Sequence, residues 1–138
     1  MPMPCPVGYS SFHSFRRLYI KRYRPISFNF ITAMNFADRL KQLPSASHLT
    51  ALQLLGADGQ VLATIENKPG QTGSLVVYAA LAALYGGRIT PAAASLGLEW
   101  YAEHVADARA FPGKHPNIDR LLAWSEGGES FAARTVAA

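Results

Sequence analysis

The chain has 138 residues, a length typical of one domain. Hydrophobic residues make up 49% of it and charged residues 16%, and this composition excludes a mainly disordered protein. The single cysteine excludes an internal disulfide framework and a zinc cluster made of cysteines. The sequence contains no motif diagnostic of a catalytic centre or a cofactor, so we predict that the protein uses no cofactor.

Positive charge is concentrated at the amino-terminal end of the chain. The formal net charge is +4, and residues 1–33 contain five lysines and arginines but no acid. The remaining eight cationic residues are outnumbered by nine acidic ones. A nucleic-acid interpretation of the basic composition therefore applies only to residues 1–33.

Residues 1–33 allow three interpretations. Arginines interleaved with aromatic residues between residues 15 and 24 are suited to nucleic acid, since they offer charge for phosphates and rings for bases. The same composition is typical of a targeting segment or a membrane-surface helix. The third interpretation is that the native chain starts at Met34 and that residues 1–33 are disordered or not translated. Four prolines by residue 25 favour this third interpretation.

The sequence after Met34 first predicts a helix and a β-hairpin. Asn35 is suited to cap a helix, with Asp38 at its third position. Two short apolar runs, residues 49–55 and 61–65, flank a Gly-Ala-Asp-Gly segment. An Asp-Gly step supplies the positive φ that a tight hairpin needs, so we predict a hairpin here.

The rest of the chain predicts three more helices and a strand. Residues 75–85 are an unbroken apolar run, which at about 17 Å of helix is too short for a bilayer core of about 30 Å and therefore indicates a buried helix. Thr90 followed by proline predicts a helix start, with the helix running to about residue 110. Pro116 opens a shorter helix, and residues 131–136 alternate like a strand. We therefore predict an α+β fold of order α-β-β-α-α-α-β, with a three-stranded antiparallel sheet in which the last strand lies beside the hairpin.

The glycine-containing loop at residues 67–74 is the first candidate site. It connects a predicted strand to a predicted helix, an arrangement that presents free N–H groups to an anion. It is neither a Walker loop nor a dinucleotide fingerprint. A structural alternative is a turn at residues 69–70 with Thr72 or Ser74 as a helix cap. If the loop binds an anion, the predicted contacts are Lys68, Gln71, Thr72 and Ser74.

A second polar loop, residues 113–119, supplies three further candidates: Lys114, His115 and Asp119. His115 and Asp119 are spaced to meet across one helical turn, and a carboxylate orients an imidazole for proton transfer. The alternative is that Asp119 only complements the positive end of a helix. An enzyme that uses His104 or His115 as a general base is therefore the alternative to a binding protein.

Carboxylates at Glu99, Glu103 and Asp107, with His104 nearby, have the residue types that bind a divalent cation. However, the sequence has no Glu-x-x-His pair, which carboxylate-bridged metal sites use. A solvated acidic helix face explains the spacing equally well, and we predict no metal site.

Three stretches of the chain resemble a family of short bacterial proteins, the one labelled domain of unknown function 2322. The stretches are NKPGQTGSL at residues 67–75, GLEWYAEH at residues 97–104 and PGKHPNIDRLL at residues 112–122. The resemblance covers about residues 34–138. It implies a soluble bacterial protein and no particular activity.

Together these observations predict one α+β domain, residues 34–138, in a cytoplasmic protein without a transmembrane segment. We predict a binding or interaction module that contacts a small anionic ligand or a protein partner through the two polar loops, because loops commonly carry function. Nucleic acid is expected as a partner only for residues 1–33. A homodimer is compatible with the sequence, although no heptad pattern requires one.

Overall fold

The computed structural model describes residues 34–138 of the chain. The interpretations of residues 1–33 as a nucleic-acid arm, a targeting segment or a non-native leader lie outside the described residues. The helices and strands, in chain order, are α1 (Phe36–Gln42), β1 (Leu49–Leu55), β2 (Val61–Glu66), α2 (Thr72–Leu84), β3 (Arg88–Ile89), α3 (Pro91–Tyr101), α4 (Glu103–Ala110), α5 (Pro116–Glu126) and β4 (Phe131–Ala137).

The helix caps and the hairpin that local sequence signals predict are present in the structure. The Asn35 side chain accepts a hydrogen bond from the Asp38 N–H at 2.8 Å, which caps α1. The Thr90 hydroxyl caps α3 in the same way. Strands β1 and β2 form the predicted antiparallel hairpin, and Gly59 at its turn has a φ of +84°. These predictions are confirmed.

The sheet is antiparallel, as predicted, but it has four strands in the order β2-β1-β4-β3. Strand β4 pairs with β1, which confirms that the last strand lies beside the hairpin. The predicted three strands and the order α-β-β-α-α-α-β are wrong, because β3 lies between α2 and α3. Strand β3 contains only Arg88 and Ile89, so it has no periodicity that a sequence pattern can detect.

The helix predicted from Thr90 to about residue 110 is also wrong, because it is broken at Ala102. Ala102 has a φ of +51°, a conformation that L-residues rarely adopt. Contacts with Phe36 lie on both sides of the break. The Phe36 ring stacks on Tyr101 at a centroid distance of 5.0 Å, and the Phe36 N–H donates to Glu103 Oε1 at 3.0 Å. Tertiary contacts thus accompany a break for which the sequence has no glycine or proline.

The buried core lies between the sheet and the helices. Helix α2 packs against all four strands, and its inner side is buried, which confirms the buried helix predicted from residues 75–85. Helix α3 packs against α2 and α5. A Cβ atom added to Gly97 of α3 would lie 2.8 Å from the Leu81 and Leu121 side chains, so glycine is what allows these helices to approach closely. No helix within residues 34–138 combines the length and hydropathy needed to cross a bilayer.

Candidate functional site

A cavity of about 280 Å³ lies between the connection from β2 to α2 and the segment that leads into α5. The two polar loops singled out in the sequence therefore lie on opposite walls of one cavity. Nearly all of its lining side chains are polar or charged. The lining residues are Thr64, Gly70, Gln71, Ser74, Lys114, His115, Pro116, Asn117 and Arg120.

The first wall is held in shape by hydrogen bonds of the loop to its own neighbours. The Asn67 amide donates to the Leu49 carbonyl at 2.8 Å, and the Thr72 hydroxyl donates to Asn67 Oδ1 at 2.9 Å. Gln71 Oε1 accepts from the Glu66 N–H at 2.9 Å. This bond fixes the orientation of the Gln71 amide, so its NH₂ group remains available to the cavity.

Ser74 connects the cavity to a buried phenol. The Tyr101 hydroxyl donates to Ser74 Oγ at 2.7 Å. Burial raises the pKa of Tyr101, so this phenol stays protonated at neutral pH and remains the donor. Because Ser74 Oγ accepts this bond, its own proton is free to be donated to a ligand in the cavity.

The second wall is built around the first turn of α5. The Tyr78 hydroxyl donates to the Asn117 carbonyl at 2.6 Å, and burial raises the pKa of Tyr78 to about 12. Arg120 Nη1 donates to Asn117 Oδ1 at 2.8 Å, which orients the guanidinium and leaves the Asn117 NH₂ group as a donor. The Gly113 N–H donates to Asp119 Oδ2 at 2.8 Å and closes the loop that precedes the helix.

Asp107 of α4 holds two residues of this wall at once. Its Oδ2 lies 2.6 Å from His115 Nε2 and 3.0 Å from Lys114 Nζ. The hydrogen bond from His115, followed by that from Lys114, lowers the pKa of Asp107, so its carboxylate is ionised at neutral pH. An ionised carboxylate only accepts, and therefore Nε2 carries the proton in this contact. The His115 side chain is 26% exposed.

Four residues predicted from the sequence line the cavity: Gln71, Ser74, Lys114 and His115. The other three do not. The Lys68 ammonium lies 3.5 Å from the exposed Glu66 carboxylate, whereas Thr72 and Asp119 bind groups of their own loops. Neither Thr72 nor Ser74 caps α2, because the N-cap residue is Gln71 and no side chain bonds to the free N–H groups there.

Sequence reasoning missed Arg120 and Asn117 as lining residues and chose the wrong carboxylate for His115. Asp119 bonds to Gly113, and Asp107 takes its place beside the imidazole. Arg120 follows Asn117 by three residues, a helical spacing that brings the two side chains together, and this spacing was a usable signal. No signal linked Asp107 to His115, because the break at Ala102 sets the direction of α4.

Two of the three carboxylates considered as metal ligands, Glu103 and Asp107, serve other contacts. Glu103 accepts from the Phe36 N–H, and His104 Nε2 lies 3.7 Å from Glu103 Oε2. The His104 ring packs edge-on to Phe36 at 5.1 Å and lies 6.0 Å from the ring of His115. Within residues 34–138, no three histidine, cysteine or acidic residues are grouped so that they can hold a metal ion.

The cavity walls come from the stretches that resemble a known family, since all lining residues except Thr64 lie in residues 67–75 or 112–122. A family model described as an uncharacterized protein conserved in bacteria (DUF2322) matches residues 36–135. The chain belongs to this family. The resemblance to the DUF2322 family predicted from three short stretches is thus confirmed over nearly the whole described region. No curated protein and no solved structure matches the chain.

Proposed function

We propose that this DUF2322 protein binds a small anionic ligand, one that carries a carboxylate or a phosphate, in the cavity between the two loops. The observation that carries the proposal is the charge of the lining. Lys114 and Arg120 are cations, and no lining residue is acidic. Asp107, which lies behind the lining, pairs with Lys114 at 3.0 Å, so Arg120 is the cation of the lining that has no carboxylate partner among residues 34–138. A lining of this kind favours an anion over a neutral or cationic ligand.

The hydrogen-bonding groups of the lining support the same ligand class. The oxygen atoms of the Gln71 and Asn117 amides are occupied by the Glu66 N–H and Arg120, so both amides offer their NH₂ groups. Ser74 offers its hydroxyl proton because Tyr101 already donates to it. A ligand rich in acceptor oxygens satisfies such a set of donors, as carboxylates and phosphates do.

Two helix N-termini also meet at the cavity. Gly70 and the N-cap residue Gln71 directly precede the 13-residue helix α2, and Ser74 lies in its first turn. Pro116 and Asn117 are the first two residues of α5. Each N-terminus is the positive end of a helix dipole, and together with Arg120 they favour negative charge in the space between them.

The size of the cavity restricts the ligand. Ligand pockets for drug-sized molecules usually enclose about 300–1,000 Å³. The cavity of about 280 Å³ lies below that range, which favours an acid of few carbon atoms over a nucleotide. A bacterial, cytoplasmic protein is part of this proposal, supported by the description of the family as conserved in bacteria.

The proposal treats residues 34–138 as the ligand-binding domain, supported by the family match to residues 36–135. Gln71, Ser74, Lys114 and His115 are the proposed ligand contacts. The remaining residues of the sequence prediction, Lys68, Thr72 and Asp119, act on the shape of the loops. A protein partner that presents a carboxylate to the cavity, and a homodimer, are compatible with the proposal.

The test is a calorimetric titration of the full chain with inorganic phosphate, glycerol 3-phosphate, pyruvate and succinate, combined with thermal unfolding in each. A ligand at 100 times its Kd stabilises the folded state by about 2.7 kcal/mol, which raises Tm by an order of 10 °C in a domain of this size. We expect at least one of these anions to bind, and we expect Arg120→Gln to weaken its binding at least tenfold.

Arg134→Gln is the matched control, because Arg134 is an exposed arginine that bonds to Gln53 and does not line the cavity. It removes the same charge and should leave the affinity unchanged. If none of the four anions binds, or if both variants weaken binding equally, the cavity is not the anion site and the proposal is wrong.

A further inference from the structure

The cavity contains one group suited to proton transfer. His115 Nε2 donates to Asp107, and the described residues form no hydrogen bond to the other ring nitrogen, Nδ1. When the imidazole is neutral, Nδ1 therefore carries a free lone pair. Carboxylate-bound imidazoles with one free nitrogen are the usual general bases of enzymes, because the carboxylate fixes the ring and stabilises its protonated form.

The second histidine considered from the sequence, His104, is less suited to this role. It does not line the cavity, and its Nε2 lies 3.7 Å from the exposed Glu103 carboxylate. The hydrogen-bond donors of the cavity line the same space as His115, and His104 is not one of the lining residues. Of the two candidate bases, the geometry therefore favours His115.

The groups around His115 define what a substrate must offer. The Arg120 guanidinium favours a negatively charged group, and the Ser74 hydroxyl and Gln71 amide favour an acceptor oxygen. If the imidazole acts as a general base, the substrate must have a proton that the imidazole can remove. A 2-oxo acid of few carbon atoms meets all three requirements in a molecule that fits about 280 Å³.

We propose that the cavity is an active site in which His115 removes a proton from the carbon next to the ketone of a small 2-oxo acid. This inference rests on the proposed function, because the carboxylate of the substrate occupies the anion site. Asp107 is a positioning residue: it acts on the substrate only through His115. The reaction class is the interconversion of keto and enol forms.

The step balances without a further reactant. The C3–H bond breaks and its proton forms a bond to His115 Nδ1. The electron pair of that bond forms the C2–C3 double bond, and the π pair of the ketone moves onto its oxygen. The resulting enolate oxygen accepts hydrogen bonds from Ser74 and Gln71, groups already oriented before the charge develops. Return of a proton from His115 to oxygen or carbon completes the reaction.

The test is hydrogen–deuterium exchange at C3 of pyruvate and 2-oxobutyrate, followed by proton NMR in deuterated buffer with the full chain. We expect the protein to accelerate exchange of at least one of the two acids. His115→Gln should lower this rate at least 100-fold, since general base catalysis contributes factors of about 10²–10⁴. Asp107→Asn should lower it at least tenfold, and Asp107→Glu should restore part of the loss, which a merely structural role would not predict.

His48→Gln is the matched control, because His48 is exposed outside the cavity, and it should exchange at the original rate. Binding of the same acids to wild type and His115→Gln is measured in parallel by calorimetry. If wild type binds an acid without exchanging it, the inference is wrong and the proposed function stands. If it binds none of the phosphates and carboxylates, both fail.

Discussion

The interior of the domain consists of apolar side chains, whereas the cavity is lined mostly by polar and charged ones. Among residues 34–138, no charged side chain is buried, and the largest fully buried side chains are those of Tyr78 and aliphatic residues. The cavity, by contrast, brings two cations and an imidazole together at the surface. Tyr78 and Tyr101 join the two regions, since their rings are buried and their hydroxyls bond to cavity residues. Folding and the proposed ligand binding thus depend on different residues, even adjacent ones.

Leu121 and Arg120 test that separation most directly, because they are neighbours on α5 and belong to different regions. Leu121 is fully buried, so Leu121→Ala should lower the free energy of unfolding by about 2–5 kcal/mol. Arg120→Gln removes partly exposed hydrogen bonds and should lower it by about 1 kcal/mol. Unfolding in urea, followed by circular dichroism, measures both. Equal losses would contradict the division between interior and cavity.

Gly97 tests how tightly the interior is packed. A methyl group there would lie 2.8 Å from buried Leu81 and Leu121, so Gly97→Ala overpacks the junction of three helices. Overpacking costs about 1–3 kcal/mol, whereas alanine gains about 1 kcal/mol of helix propensity, and we expect a net loss of about 1 kcal/mol.

The control for Gly97 is Gly128→Ala, where a Cβ has no neighbour within 4 Å. Stability is measured by the same urea titrations. In the double variant Gly97→Ala with Leu121→Ala, the shortened side chain at residue 121 makes room for the added methyl group. The double variant should therefore lose less stability than the sum of the two single losses. Full additivity would show that Gly97 does not restrict the packing of these helices.

The interior was also the more predictable region from sequence. Caps, the hairpin turn and apolar periodicity are local signals, and they predicted α1, the hairpin, α2 and β4 because each signal acts within a few residues. Strand β3 was not predicted, because a strand of two residues is too short to show a hydrophobic periodicity. Its position depends on Gly86 and Gly87, whose φ values of +72° and +87° take the chain from α2 back to the sheet edge.

The cavity was predictable only in part, because its walls come from segments distant in sequence. Polar loop composition indicated Gln71, Ser74, Lys114 and His115 without indicating that they meet. The contact of His115 with Asp107 depends on the direction of α4, which follows the break at Ala102. Alanine has the highest helix propensity and does not predict such a break, and the contacts of Phe36 accompany the break from outside the segment.

Ala102 links the two regions, and its substitution should change the free energy of unfolding by only a small amount. Its φ of +51° strains an alanine but not a glycine, so Ala102→Gly should raise the free energy of unfolding by about 1 kcal/mol. Ala106→Gly within α4 is the control and should lower it by about 1 kcal/mol, since its backbone is helical. Urea titrations compare them. If Ala102→Gly destabilises as much as Ala106→Gly, the break stores no strain, and the contacts of Phe36 alone direct α4 and Asp107 towards the cavity.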